Sequence, residues 1–138
     1  MNSESTLPRT YDLIIYGATG FTGQQCVEYL VQQAPPELRW AIAGRSEDRL
    51  TELSQSIERP WIYADAHDLD SIDKLCAQTR VVLSTAGPFA LYSEPVVEAC
   101  IRHQTHYVDI TGETPWIKSL IDRFHERACA NHTVILPA

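Results

Sequence analysis

The sequence predicts an α/β protein with a doubly wound, mainly parallel sheet of six strands and helices on both faces. Three observations predict this class: short apolar runs alternate with longer helical stretches, the runs are apolar on both faces, and a glycine-rich turn follows the first run. Strands buried on both faces are typical of parallel sheets joined by right-handed crossovers. The 138 residues suffice for one domain with a single core.

The predicted strands are short segments rich in β-branched or aromatic residues. They comprise residues 11–16, 39–43, 61–64, 80–85, 106–110 and 133–136. Each interval between them contains one predicted helix, and these helices comprise residues 21–33, 47–57, 71–78, 94–103 and 115–130. Three polar residues immediately precede predicted helices and are expected to cap them: Ser46, Ser93 and Thr114.

Composition and charge argue against several classes of protein. Hydrophobic residues make up 44% of the chain and charged residues 21%, as in ordinary globular domains. The net charge of −7 disfavours a nucleic-acid partner, because a phosphate backbone binds clustered Lys and Arg. Residues 1–10 form a polar segment, expected to be flexible, without the apolar run of a secretion signal, and we expect no membrane span. We therefore expect a cytoplasmic protein whose folded domain comprises residues 11–138.

Cysteine and histidine spacing indicates neither a redox motif nor a metal site. Each cysteine falls within a predicted helix and none forms a C-x-x-C pair; the four are Cys26, Cys76, Cys100 and Cys129. We interpret them as small buried hydrophobic side chains of a protein in a reducing compartment. The five histidines lack the spacing of zinc ligands, so no metal is expected.

A glycine-rich turn joins the first predicted strand to the first predicted helix. Its residues are Gly17, Ala18, Thr19, Gly20, Phe21, Thr22 and Gly23. Backbone amides and the positive end of a helix dipole bind a diphosphate, and small residues allow the phosphates to approach closely. The G-x-x-G-x-x-G spacing is a variant, and glycines also serve ordinary tight turns. Its place in a long βα alternation favours the dinucleotide site of a Rossmann-type sheet.

The end of the second predicted strand indicates which dinucleotide binds. An acidic residue there would bind the ribose 2′-hydroxyl of NAD, but this chain has Arg45 and Ser46 instead. The planar guanidinium suits a 2′-phosphate, so the sequence favours NADP over NAD. Alternatively, Arg45 is a solvated loop residue. A capping role of Ser46 is compatible with phosphate binding.

Two more strand ends complete the predicted cofactor site. Asp65 follows the third strand, where the adenine of a dinucleotide is expected. Its carboxylate either contacts the adenine or, equally, is a solvated turn residue or caps the next helix. The fourth strand is followed by Ala86, Gly87, Pro88 and Tyr92. We expect the nicotinamide there, with Phe89 and Tyr92 walling the ring; a simple Gly-Pro turn is the alternative. The carboxylates of segment 109–113 either meet substrate or ribose or, as we favour, cap the next helix.

Four ordered blocks resemble the saccharopine dehydrogenase-like oxidoreductases, a family that includes the mycobacterial trans-acting enoyl reductases. The blocks are YGATGFTG at 16–23, WAIAGRS at 40–46, GPF at 87–89 with YSEPVV at 92–97, and DITGE at 109–113. The resemblance implies an N-terminal Rossmann domain that binds NADP, followed by a larger region that helps to form the substrate pocket. We therefore expect this chain to be a domain fragment without turnover of its own.

The sequence leaves more than one function open. The chain can be the NADP-binding part of an oxidoreductase, holding NADP(H) for hydride transfer to or from a small-molecule substrate that further sequence binds. It can instead be a non-catalytic NADP-sensing or scaffold module. A remoter alternative is a flavodoxin-like regulator that binds no dinucleotide. Neither Lys74 nor Lys118 lies four residues after a tyrosine, which excludes the Tyr-x-x-x-Lys pair of short-chain dehydrogenases. We assign no catalytic residue. An apolar surface left by the absent region favours self-association.

Overall fold

The computed structural model describes residues 8–137, and within them six parallel strands form one sheet. The strands are β1 (Tyr11–Tyr16), β2 (Trp40–Gly44), β3 (Trp61–Tyr63), β4 (Thr79–Ser84), β5 (His106–Asp109) and β6 (Ile135–Pro137). Their order across the sheet is β3-β2-β1-β4-β5-β6. The predicted sheet is confirmed. Most of the predicted N-terminal segment, residues 1–7, lies outside the described residues, as does residue 138.

Helices connect the strands in the predicted alternation. They are α1 (Phe21–Gln33), α2 (Glu47–Ile57), α3 (Leu69–Ala77), α4 (Phe89–Tyr92), α5 (Glu94–His103) and α6 (Thr114–Ala130). Helix α3 begins before the predicted residue 71 because the Asp68 side chain accepts a hydrogen bond from the Ser71 amide. The four-residue helix α4 was not predicted, since one turn is too short to show a hydrophobic period.

Only one of the three predicted helix caps is present. Ser46 accepts a hydrogen bond from the Arg49 amide and caps α2. Ser93 makes no side-chain cap, because it ends α4 in a helical conformation and leads directly into α5. Thr114 already belongs to α6, whose preceding residue is Glu113. The predicted caps at Ser93 and Thr114 are therefore wrong.

The core has two layers, one on each face of the sheet. Ile14 and its same-face neighbours pack with α3, α5 and α6, whereas Ile15 packs with α1 and α2 on the opposite face. The helices therefore diverge from the middle of the sheet, where β1 pairs with both β2 and β4. In such sheets the carboxyl ends of the strands at this switch point leave an open crevice. The predicted doubly wound α/β class is confirmed.

The cysteines differ in exposure. Cys76 and Cys100 are buried with their sulfur atoms 3.7 Å apart, and Cys26 is half-buried. Cys129 is exposed on α6, so the expectation that every thiol is buried is wrong. Across residues 8–137, no helix is long and apolar enough to cross a membrane, and no group of three or more acidic, His or Cys side chains is arranged to hold a metal ion.

Candidate nucleotide site

A cleft of about 370 Å³ lies at the carboxyl ends of β1 to β4. Its size falls within the range of small-molecule sites. Most residues of the predicted site line it: Gly17, Thr19, Gly20, Phe21, Thr22, Arg45, Asp65, Ala86, Gly87 and Tyr92. The fold thus brings together four loops that are far apart in the chain. Four predicted residues lie outside the lining, namely Ala18, Gly23, Ser46 and Pro88.

Two glycines of the turn after β1 are required by the fold itself. Gly17 has a φ of +86°, and a Cβ there would lie 2.9 Å from both the Ala86 amide nitrogen and the Thr85 hydroxyl. A Cβ on Gly23 would lie 2.0 Å from the carbonyl oxygen of Gly17. Gly23 therefore permits the close packing of α1 on the turn, which explains its position behind the cleft.

Gly20 has a different environment. It precedes α1 with a φ of −76°, and a Cβ there would meet only the Gly17 carbonyl oxygen, at an ordinary 3.5 Å. No side chain caps α1, and Gly20, Phe21 and Thr22 border the cleft. The fold does not need glycine at this position. Uncapped backbone amides at a helix N-terminus instead leave a surface suited to an anion.

Two guanidinium groups border the cleft where β2 ends. Arg45 is exposed and makes no hydrogen bond or ion pair with residues 8–137. Arg49 donates from Nη2 to the Thr19 carbonyl at 2.5 Å, which ties α2 to the glycine turn. Sequence patterns did not point to Arg49. Its position three residues after the Ser46 cap, on the first turn of α2, was the available signal.

The loop after β3 also borders the cleft. Asp65 Oδ1 accepts a hydrogen bond from the His67 amide at 2.9 Å, so its carboxylate stabilises the turn while the residue borders the cleft. The His67 ring meets the Tyr92 ring edge-on, with centroids 5.9 Å apart. Tyr92 was expected beside the nicotinamide, but its ring contacts His67 in the loop after β3, where the adenine is expected. Beneath them, burial raises the pKa of Tyr16 to about 12.

Two residues of the segment after β4, Pro88 and Phe89, were expected at the cofactor site but do not line the cleft. Pro88 follows a cis peptide bond and precedes α4. Phe89 is buried in the core, only 7% exposed, and does not line the cleft, so it cannot wall a bound ring there. The small residues Ala86 and Gly87 border the cleft.

Both carboxylates of segment 109–113 are engaged within the protein. Glu113 accepts hydrogen bonds from the Phe89 and Ala90 amides, at 2.8 and 3.0 Å. Asp109 is buried and accepts from the Tyr107 hydroxyl at 2.6 Å and the Thr111 amide at 3.0 Å. Burial and this carboxylate raise the pKa of Tyr107. The expected capping of α6 is wrong, because the Glu113 carboxylate binds the start of α4 instead.

Comparison with known proteins adds relatives in which this domain is part of a longer chain. Residues 13–136 match the family model described as the saccharopine dehydrogenase NADP binding domain. A lipid droplet localized protein of Caenorhabditis elegans is 38% identical over 128 residues, covering 86% of this chain and 30% of the relative. A trans-acting enoyl reductase of Mycobacterium leprae is 36% identical over 135 residues (94% and 32%). A saccharopine dehydrogenase-like oxidoreductase of Bos taurus is 34% identical over 148 residues (96% and 34%).

Solved structures share the fold at lower sequence identity. Apo saccharopine dehydrogenase (L-Glu forming) from Saccharomyces cerevisiae is 20% identical with a TM-score of 0.76, covering 92% of this chain and 26% of that chain. The Citrobacter sp. triphenylmethane reductase complexed with NADP(H) is 15% identical with a TM-score of 0.68, covering 90% and 48%. This chain spans about a third of the length of the curated relatives it matches.

Proposed function

The chain belongs to the saccharopine dehydrogenase NADP binding domain family, and from this membership we propose that its cleft holds NADP(H) for hydride transfer as part of an oxidoreductase. The observation that carries this proposal is the environment of Gly20. Its missing side chain leaves a gap beside the uncapped start of α1 that no contact within the protein explains. A diphosphate bound to the α1 amides would fill that gap.

The 2′-phosphate of NADP would be bound by Arg45. Its guanidinium borders the cleft at the end of β2, where a ribose lies in Rossmann-type sites, and has no partner among residues 8–137. Arg49 lies one helical turn further on and adds positive charge on the same side. A carboxylate in this place would repel a 2′-phosphate, so the charge pattern supports NADP over NAD.

The protein's part in the reaction is to bind and orient the cofactor. Bound NADPH or NADP would donate or accept the hydride. Ala86 and Gly87 place backbone without bulky side chains along the cleft, which allows a cofactor to lie close to the carboxyl end of β4. Asp109 and Glu113 are engaged within the protein, so neither offers a free carboxylate to a substrate. We propose that a small-molecule substrate contacts sequence beyond this domain, which the longer relatives possess.

Calorimetric titration of the chain with NADPH and NADH tests the proposal. We expect NADPH to bind more tightly. Arg45→Ala should weaken NADPH binding by roughly tenfold or more, because a hydrogen-bonded charge pair is lost, and leave NADH binding unchanged. Arg102→Ala is the matched control, since it removes the same charge from a surface ion pair with Asp73. Equal affinity of the unmodified chain for both nucleotides would contradict the 2′-phosphate contact.

Two further expectations about the chain's surroundings are proposals as well. The four thiols are free, which supports a cytoplasmic, reducing location; fractionation of cells producing the full-length protein would test it against the lipid-droplet location in the name of one relative. Val134 and Leu136 are 56% and 57% exposed beside the sheet edge, which supports self-association of the isolated chain. Sedimentation at several concentrations would detect it, and a monomer throughout would contradict it.

A further inference from the structure

Glu113 joins two loops at the carboxyl edge of the sheet. It lies between β5 and α6, and its carboxylate reaches the first amides of α4, which follow β4. Oε2 accepts from the Phe89 amide at 2.8 Å and Oε1 from the Ala90 amide at 3.0 Å. Both oxygens are therefore used, and each bond spans more than twenty residues of sequence. Charge-assisted bonds of this kind are stronger than those between neutral groups.

Glu113 is itself fixed from the core. Its amide donates to the Thr111 hydroxyl at 2.9 Å, and the Thr111 amide donates to Asp109 Oδ1 at 3.0 Å. Asp109 Oδ2 accepts from the Tyr107 hydroxyl. Tyr107, Asp109 and Thr111 are at most 2% exposed. A continuous series of hydrogen bonds thus runs from a buried strand to the backbone amide of Glu113, and it fixes the backbone from which the Glu113 side chain extends.

The segment that Glu113 anchors is a wall of the candidate cofactor cleft. Ala86 and Gly87 border the cleft directly before the bonded amides, and Tyr92 borders it at the other end of α4. Tyr92 also contacts His67 in the loop after β3. Glu113 does not line the cleft. Its carboxylate therefore acts on the cleft through segment 86–92, whose amides it binds.

We propose that Glu113 is a positioning residue for the cofactor: its two-oxygen clamp on the start of α4 sets the position of segment 86–92 and thereby the affinity for nicotinamide nucleotides. This inference rests on the proposed function, because it presumes that the cleft binds such a nucleotide. It differs from the role of Arg45 in a measurable way. Arg45 distinguishes NADPH from NADH, whereas segment 86–92 borders the parts that both nucleotides share.

Glu113→Gln removes the charge while keeping the size of the side chain. One acceptor oxygen becomes an NH2 group, which cannot accept a hydrogen bond from an amide. Glu98→Gln is the matched control, because it makes the same change at an exposed ion pair with Arg127, away from the cleft. Thr111→Val is a second variant: it keeps the shape but removes the hydroxyl that orients Glu113.

Hydrogen–deuterium exchange without nucleotide and calorimetry with each nucleotide test the inference together. In Glu113→Gln we expect amides of segment 86–92 to exchange about tenfold faster, since a charge-assisted bond is lost. NADPH and NADH should both bind several-fold more weakly, by the same factor, so that the preference for NADPH stays unchanged. Thr111→Val should act in the same direction, and add little to Glu113→Gln in the double variant. Glu98→Gln should match the unmodified chain.

Each alternative outcome is informative. Unchanged exchange in Glu113→Gln would show that the clamp does not hold the segment and would overturn the inference. Faster exchange with unaltered affinity for both nucleotides would make the clamp purely structural and would overturn the positioning role. Loss of NADPH binding alone would assign Glu113 to the 2′-phosphate side instead. If the unmodified chain bound neither nucleotide, the proposed function itself would fail, and the exchange data would still decide whether Glu113 anchors the segment.

Discussion

Substitution by alanine should have different effects at Gly20 and at Gly23, the two glycines nearest the start of α1. A Cβ on Gly23 would lie 2.0 Å from the Gly17 carbonyl oxygen and 2.8 Å from the Ala18 Cα, so backbone would have to move. A Cβ on Gly20 would meet only the Gly17 oxygen at 3.5 Å, and its φ of −76° suits any residue. Gly23→Ala should therefore disturb the fold, whereas Gly20→Ala should intrude only on the cleft.

The magnitudes follow from these contacts. Overpacking costs about 1–3 kcal/mol, and the Gly23 approach lies at the upper end, so we expect a melting temperature lower by roughly 10 °C. Gly20→Ala loses about 0.5–1 kcal/mol at the start of α1 and regains a similar amount because alanine restricts the unfolded chain. Its stability should thus stay within about 0.5 kcal/mol of the unmodified chain. In the complex, however, the new methyl group would meet the diphosphate, weakening NADPH binding by roughly 5- to 150-fold.

Thermal unfolding followed by circular dichroism, without nucleotide, measures the first effect, and calorimetric titration with NADPH measures the second. The two variants should separate: Gly23→Ala loses stability, and Gly20→Ala loses affinity. NADPH binding by Gly20→Ala as tight as that of the unmodified chain would refute the diphosphate position. An unchanged melting temperature for Gly23→Ala would refute the close packing of α1 on the turn.

Two predictions concern stability alone. Phe124→Ala should lower the free energy of unfolding by about 3–5 kcal/mol, because Phe124 of α6 is only 2% exposed and packs in the core. Ile121→Ala, at a residue 59% exposed on the same helix, should change the free energy of unfolding by less than about 0.5 kcal/mol. Similar losses for the two variants in chemical denaturation would contradict this packing. The Arg39 guanidinium holds the pKa of the Asp12 carboxyl below its ordinary value of 3.8, so this pair stabilises the fold above pH 4 and its contribution is lost as pH falls through the lowered pKa. The melting temperature of Asp12→Asn should therefore be about 2 °C lower at pH 7 and converge with that of the unmodified chain towards pH 2, and a difference independent of pH would contradict the ion pair.

The sequence alone determined the fold class and the location of the cleft. Strand and helix periods are local properties, so the ends of β1, α1, α2 and α5 were predicted to the residue. Parallel strands place all their carboxyl ends at one edge, and the loops that follow β1 to β4 therefore had to meet there. Of the residues that the sequence assigned to this site, Gly17, Gly20 and Arg45 line the cleft, whereas Gly23 lies behind it.

Tertiary structure decided which side chains reach one another across these loops. The bonds from Glu113 to α4, from Arg49 to Thr19 and the contact of His67 with Tyr92 join segments 23 or more residues apart. A local pattern carries no information on such pairs, because they depend on strand order and on the rotation of each loop. Glu113 shows this most clearly: next to α6 in sequence, it looks like a cap for that helix, yet the fold places its carboxylate on the neighbouring helix start.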